Sequence, residues 1–222
     1  FDLINGGNKD WVENPYRELG REALSTASGE FPLGTVGAGT GALAAMQKGG
    51  LGSASVVLKN GYTVGALVVA NPMGSVTTAS GKYFWAAPFE VDGEFGGMGV
   101  DPEHANFDGK QSLKEAAMMV FNAEMSNTTI AIVATDAPLT KTQCHRLAVT
   151  AHDGMARAIV PSHTPLDGDL IFGVSTTNGA VDYNIFRDIG AAAAVCLSRA
   201  IARGIYEATS HADDILPTYR SS

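Results

Sequence analysis

At 222 residues the chain can bury one substantial hydrophobic core, and 45% hydrophobic against 17% charged residues is a globular composition. A formal net charge of −8 leaves no basic stripe to neutralise phosphates, which excludes a nucleic-acid partner. No apolar run approaches the ~20 residues of a membrane helix, and the acidic surface is that of an ordinary cytoplasmic enzyme.

The chain opens Phe1-Asp2-Leu3-Ile4 with neither methionine nor signal peptide. That reads as the middle of a strand, so an N-terminal portion is expected to be missing from residues 1–222, taken here as a single domain. Tyr16 to Ala27 reads as a short helix, ended by Ser28-Gly29 and Phe31-Pro32. The glycine-rich run from Gly34 to Gly41 lacks the Gly-Lys-Ser/Thr of a phosphate loop, and its glycines are read as allowing close backbone approach near a site.

Ala54–Lys59 and Tyr62–Val69 are β-rich runs flanking Asn60-Gly61, which predicts a hairpin with a type I′ turn. From Gly74 to Gly109 there is no periodicity. The aromatics Tyr83, Phe84, Trp85, Phe89 and Phe95 either line an apolar cleft there or staple the loop to the core. Leu113, Ala116, Ala117, Val120 and Phe121 recur at helical spacing. A polar linker, Glu124-Met125-Ser126-Asn127, then leads into the β-branched run Thr128–Thr135, read as a buried strand.

Thr140 with Gln143 forms a capping box for a helix whose buried stripe is Cys144, Leu147, Ala148 and Ala151. Leu170–Ser175 is a further apolar strand. An alanine-rich helix follows from about Arg187 to Ala208, small enough in side chain to pack closely or to meet another subunit. Cys144 and Cys196 lie in different segments without CxxC spacing and are expected to be reduced. Five scattered histidines give no metal-ligand spacing, so no metal and no other cofactor is expected. His145, His152 and His163 are read as structural.

A threonine hydroxyl needs a base to act as a nucleophile. When threonine is the first residue of a chain, its own α-amine, with a pKa of roughly 7.7–8.0, can be that base. Thr128 would gain such an amine if the bond after Asn127 broke, and a strand tip would hold its hydroxyl in place. Asn-Thr-Thr by itself is a common tripeptide, and the wider context is what gives it weight.

Three stretches together resemble a known family. They are Val36–Ala42 with Lys48–Ser55; Asn127–Ile130 leading to Val133–Lys141; and Ala151–Ala158 followed by His163–Asp169. They look like the P1 peptidases, the group that contains the L-aminopeptidase/D-esterases, the β-aminopeptidases and the nylon-oligomer hydrolases. The resemblance runs through the whole chain in order, and Phe1-Asp2-Leu3 matches a segment that is not the family's first. Within the group the chain looks closest to the 6-aminohexanoate-oligomer hydrolases, whose nucleophile is threonine.

The resemblance implies an α/β (α+β) fold, a four-layer αββα sandwich similar to N-terminal-nucleophile hydrolases but differently connected. It implies self-cleavage between Asn127 and Thr128 into fragments 1–127 and 128–222 that stay associated, and a homo-oligomer of such αβ units, taken as a tetramer. Carried over by position, Thr128 is nucleophile and base. Asp167 and Asp169 flank Gly168 and, two apart on an extended segment, project together to orient it. Asn71 offers its amide to the oxyanion, Lys59 stabilises the same charge, and Tyr16 lies near substrate. The aminopeptidases resemble a Ser and Glu pattern where this chain has aspartates. The expected activity is therefore endohydrolysis of linear aliphatic amide oligomers. The alternatives are a β- or D-aminopeptidase, an acyl transferase similar to ornithine acetyltransferases, and a non-catalytic homologue.

Overall fold

A computed structural model describes residues 5, 10–103, 112–120 and 127–221. Phe1 to Ile4, Phe121 and the linker residues Glu124 to Ser126 lie outside the described residues. The elements are α1 (Tyr16–Ser25), β1 (Gly50–Val57), β2 (Thr63–Ala70), α2 (Leu113–Val120), β3 (Ile130–Thr135), α3 (Lys141–Ala158), β4 (Leu170–Ser175) and α4 (Tyr183–Tyr206). Short 3-10 turns sit at Gly37–Gly39, Ala87–Phe89 and Tyr219–Ser221.

The strands form one mixed sheet in the order β1-β2-β3-β4. β1 pairs antiparallel with β2, and β2 antiparallel with β3. β4 then lies parallel to β3, with α3 as the crossover. The hairpin is present, but its turn differs from the expected one. Leu58 and Tyr62 close a three-residue loop, with Gly61 N–H donating to Leu58 O at 2.9 Å. Within this loop positive φ is taken only by Gly61, at 90°. This is a type I turn followed by one left-handed glycine, which needs a single permissive residue instead of two.

Side-chain alternation gives the sheet two unlike faces. Val64, Ala66, Val68, Ala131, Val133 and Ile171 point into the core. They meet Leu147, Ala151 and Met155 of α3, and Ile189, Leu197, Ile201 and Ile205 of α4. Each large aliphatic side chain buried this way stabilises by about 1.5–3 kcal/mol before chain entropy is charged. On the other face Leu67, Ile130, Ile132, Leu170, Phe172 and Val174 are exposed. β3 is thus buried on one side only, and the described residues supply a helix layer and a sheet layer of the expected sandwich.

The alanine-rich helix begins earlier than its sequence pattern suggested, because Asp182 caps it by accepting from Asn184 N–H at 2.8 Å and Ile185 N–H at 3.1 Å. Its small residues are used within the chain. A Cβ on Gly52 would stand 1.8 Å from Ala200 O, and one on Gly154 2.4 Å from Ala194 O. The capping box of α3 is formed as read, with Gln143 N–H on Thr140 Oγ1 at 3.2 Å and Thr140 N–H on Gln143 Oε1 at 3.0 Å.

Helix α2 is rotated from the expected phase. Leu113 and Val120 are exposed, whereas Lys114 and Met118 are buried. The loop aromatics divide between the two expected roles. Phe84 and Phe95 meet edge to face at 5.3 Å and are buried, while Trp85 lines a cavity. Both cysteines are free, Cys196 buried and Cys144 half-buried.

Candidate active site

The parallel ladder between β3 and β4 continues backwards past both strand ends. Ile130 is level with Leu170, and an isolated bridge joins Asn127 to Asp167 at the same offset. Thr128 is therefore level with Gly168, and Thr129 with Asp169. The backbone bonds agree: Asn127 N–H donates to Leu166 O at 3.2 Å, Gly168 N–H to Asn127 O at 2.7 Å, and Leu170 N–H to Thr129 O at 3.1 Å. The antiparallel register of β2 on β3, with Val69 opposite Ile130, extrapolates to Asn71 opposite Thr128. Asn71, Thr128 and Gly168 thus share one level of the sheet, at the end where β3 and β4 begin and β2 finishes.

At that level the Thr128 hydroxyl donates to the carbonyl oxygen of Asn127 at 2.6 Å. The same oxygen accepts Gly168 N–H. A Cβ on Gly168 would come within 3.0 Å of Thr128 Oγ1, so glycine leaves room for the hydroxyl to reach this carbonyl. The side chain of Asn127 is buried, and among the described residues neither its Oδ1 nor its Nδ2 has a hydrogen-bond partner. A buried polar atom without a partner costs about 1–3 kcal/mol, so the residue before the candidate nucleophile is destabilised where it sits.

The carboxylates lie behind this level. Asp169 accepts Thr129 N–H on Oδ1 at 2.8 Å and pairs through Oδ2 with His163 Nδ1 at 2.8 Å. Asp167 accepts Met73 N–H at 3.0 Å, and from Thr164 both the N–H at 3.0 Å and the hydroxyl at 2.6 Å. One of these bonds goes to Thr129, next to Thr128, and none of them to the Thr128 hydroxyl. Strand alternation is the reason: residues two apart share a face, and Thr128 is level with the glycine between them. His163 bonds directly to Asp169 and stands 3.4 Å from His152 through its other nitrogen.

Asn71 is held by its carbonyl end. Oδ1 accepts Leu43 N–H at 2.9 Å and lies 3.3 Å from Lys114 Nζ, leaving the amide Nδ2 to donate elsewhere. Lys114 donates to Leu43 O at 2.7 Å, and to Asn71 O and Pro72 O at 3.1 Å each. Burial lowers the Lys114 pKa to about 7, against the opposing pull of Asp167 and Asp169.

The expected lysine does not reach this place. Lys59 is exposed in the hairpin turn, before the first residue of β2, whereas Asn71 follows its last. At about 3.4 Å per residue the length of β2 separates them by roughly 25 Å. Lys114 takes that position; it shares the buried face of α2 with Met118, one turn on, and lies outside the apolar stripe read from the sequence. Tyr16 is half-exposed at the start of α1, where its ring meets Trp11 edge to face at 5.4 Å, and α1 buries no residue. The structure does not bring Tyr16 to the Thr128 level by any of these contacts.

The glycine-rich run does serve close approach. A Cβ on Gly39 would stand 2.4 Å from Leu51 N, and one on Gly34 2.0 Å from Glu207 O. Lys48 is fully buried and bound to both carboxylate oxygens of Asp214 at 2.8 Å, which ties the C-terminal segment to the loop leading into β1. Among the described residues no cluster of three or more His, Cys, Asp or Glu could hold a metal, and no helix is long and apolar enough to cross a membrane.

Comparison with known proteins gives the family of the chain. The family model of peptidase family S58 matches residues 9–214. An uncharacterised aminopeptidase of Mycobacterium tuberculosis is 38% identical over 99% of the chain and 64% of its own length. A 6-aminohexanoate-oligomer endohydrolase of Paenarthrobacter ureafaciens is 32% identical over 73% of the chain and 45% of its own length. The chain therefore spans less than two thirds of these relatives, and it is more similar to the mycobacterial protein than to the oligomer hydrolase. The L-aminopeptidase/D-Ala-esterase/amidase of Ochrobactrum anthropi, described as a variant of the Ntn hydrolase fold, superposes with a TM-score of 0.64. It is 25% identical and aligns over 90% of this chain and 53% of its own. The chain belongs to peptidase family S58.

Proposed function

We propose that this chain is the catalytic part of an amide-bond hydrolase that frees Thr128 by cutting the Asn127–Thr128 bond and then uses it as nucleophile. The observation that carries the reading is the Asn127 carbonyl, which receives both the Thr128 hydroxyl and Gly168 N–H. The hydroxyl adds to that carbonyl carbon while Gly168 N–H takes the developing oxyanion. The hydroxyl proton passes to the departing nitrogen, leaving an ester between Asn127 and Thr128. Water hydrolyses the ester, so Asn127 leaves as a carboxylate and Thr128 keeps a free α-amine.

The same groups then act on an external amide. The α-amine takes the hydroxyl proton, Oγ1 adds to the substrate carbonyl, and the vacated Gly168 N–H holds the oxyanion, with Asn71 Nδ2 as second donor. Collapse expels the amine and leaves an acyl-threonine ester for water to cleave. The sheet supports continued association of the two fragments, because β3 after the cut is paired with β2 before it along six residue pairs.

Linear aliphatic amides are the proposed substrate class, and the threonine nucleophile with its aspartate pair favours the oligomer hydrolases. The higher identity to a protein named as an aminopeptidase favours a second reading, removal of an N-terminal residue. Intact-mass analysis of purified protein tests the mechanism: two species, the smaller beginning at Thr128, are expected, and Thr128→Ala should stay whole. A wild-type chain still uncut after long incubation sinks the mechanism. Amine-blocked oligomers separate the two substrate readings, since an exopeptidase leaves them intact.

A further inference from the structure

Two adjacent residues, His163 and Thr164, hold both aspartates of the site. His163 Nδ1 lies 2.8 Å from Asp169 Oδ2, and Thr164 gives Asp167 Oδ2 its N–H and its hydroxyl. The other oxygen of each carboxylate takes one backbone N–H, that of Met73 for Asp167 and that of Thr129 for Asp169. His163 reaches Asp169 with φ at 53°, in the left-handed region that histidine and asparagine enter more readily than most residues. The Asp169 side chain is 4% exposed and that of His163 38%, so a ring at the surface bonds a buried carboxylate. An ionised carboxylate only accepts, so the proton of this bond sits on His163 Nδ1. A neutral ring then presents Nε2 as an acceptor to His152 Nδ1.

The two carboxylates differ in what they join. Asp167 links Thr164 to Met73, residues on opposite sides of the Asn127–Thr128 bond, whereas Asp169 links His163 to Thr129, both after it. In the intact chain Thr128 is also held from its N-terminal side, because Asn127 bonds Leu166 O through its N–H and Gly168 N–H through its carbonyl. Once the bond is cut, those contacts hold Asn127 alone. The backbone tether left to Thr128 is its peptide with Thr129, and Asp169 fixes the N–H of that peptide. A planar peptide includes the preceding Cα, so fixing this N–H fixes the Thr128 Cα from which the α-amine and the side chain extend.

We infer that His163 is a positioning residue for the freed Thr128: by donating to Asp169 it holds the carboxylate on Thr129 N–H and so keeps the nucleophile in place after the cut. The inference rests on the amidase reading. Its consequence is an order of effects, in which loss of the His163 donor harms the chemistry of the freed threonine more than the processing that frees it.

Two substitutions isolate the donor in the full chain. His163→Gly accepts the left-handed backbone and removes the donor, while His163→Asn accepts the same backbone and carries an N–H donor on Cγ, where histidine carries Nδ1. Processing is read by mass spectrometry. The freed threonine is read with p-nitrophenyl acetate, from the single-turnover release of p-nitrophenolate and the acetyl group mapped to Thr128. His163→Gly should slow this acylation by about 10- to 100-fold, as expected for a nucleophile misplaced by up to 1 Å, and slow processing less. His163→Asn should restore acylation to near the wild-type rate. In the wild type, ¹⁵N NMR should find the His163 proton on Nδ1, a readout that does not depend on any variant folding. The inference is overturned by a His163 without that proton, by wild-type acylation of His163→Gly, by equal slowing of processing and acylation, or by His163→Asn behaving as His163→Gly. A wild type that neither cuts itself nor is acylated at Thr128 overturns the amidase reading, and this inference with it.

Discussion

Gly168 donates its N–H to the carbonyl of Asn127 at 2.7 Å, directly level with the threonine that follows Asn127. Glycine here leaves the Thr128 hydroxyl free to lie on that carbonyl, since an added Cβ would stand 3.0 Å from Oγ1. Gly168→Ala should therefore fold but process slowly. A displacement of the hydroxyl by a fraction of an ångström to 1 Å corresponds to a loss of about 10- to 100-fold in rate. The time course of fragment appearance by mass spectrometry reads this, and an unchanged rate with unchanged melting temperature would show that the contact does not govern processing.

Lys114 predicts an alkaline signature. Its pKa of about 7 in the fold, against 10.5 in the unfolded chain, means that the unfolded state binds more protons between those two values. Stability contributed by this group therefore rises with pH from about 7 to 10.5, as the buried ammonium becomes neutral in the native state. Urea titrations across that window should show the rise in wild type and its loss in Lys114→Met. Parallel curves for the two proteins would mean that Lys114 titrates normally.

His152 predicts an acid counterpart. Burial, and then the neighbouring His163, hold its pKa below the ordinary 6.5. The unfolded chain thus takes up a proton that the native imidazole resists, and stability falls as pH drops from 6.5 toward the lowered value. His152→Gln removes this component. Its melting temperature should fall less between pH 7 and pH 5 than that of wild type, and a drop of the same size would count against the assignment.

Gly154 sets two effects against each other. Alanine in a helix interior is better than glycine by roughly 0.8–1 kcal/mol. Here, however, the added methyl would stand 2.4 Å from Ala194 O, a backbone atom of the packed helix α4. Overpacking of this kind costs about 1–3 kcal/mol or more, so Gly154→Ala should destabilise despite its higher propensity. Gly20→Ala in α1, which meets nothing within 4 Å, is the control and should not destabilise. Equal denaturation midpoints for Gly154→Ala and wild type would mean that α3 and α4 yield easily at this contact.

Local chemistry was legible in the sequence wherever it acts over a few residues. The Thr140–Gln143 capping box, the hairpin around Asn60-Gly61, both strands beside Thr128 and the long alanine-rich helix follow from periodicity and turn residues. The Asn127-Thr128 pair, with Asp167-Gly168-Asp169 some forty residues on, was legible through family resemblance and not through spacing. What the chain alone did not determine was register and phase. Which residue stands level with Thr128 depends on how β3 and β4 align, and that placed Gly168 at the hydroxyl and the aspartates behind it. Which lysine approaches Asn71 depends on the rotation of α2 and on the two ends of β2, and that brought in Lys114 and left Lys59 in solvent. Such relationships are set by backbone pairing and packing between segments far apart in the chain, for which a single sequence carries no local signal.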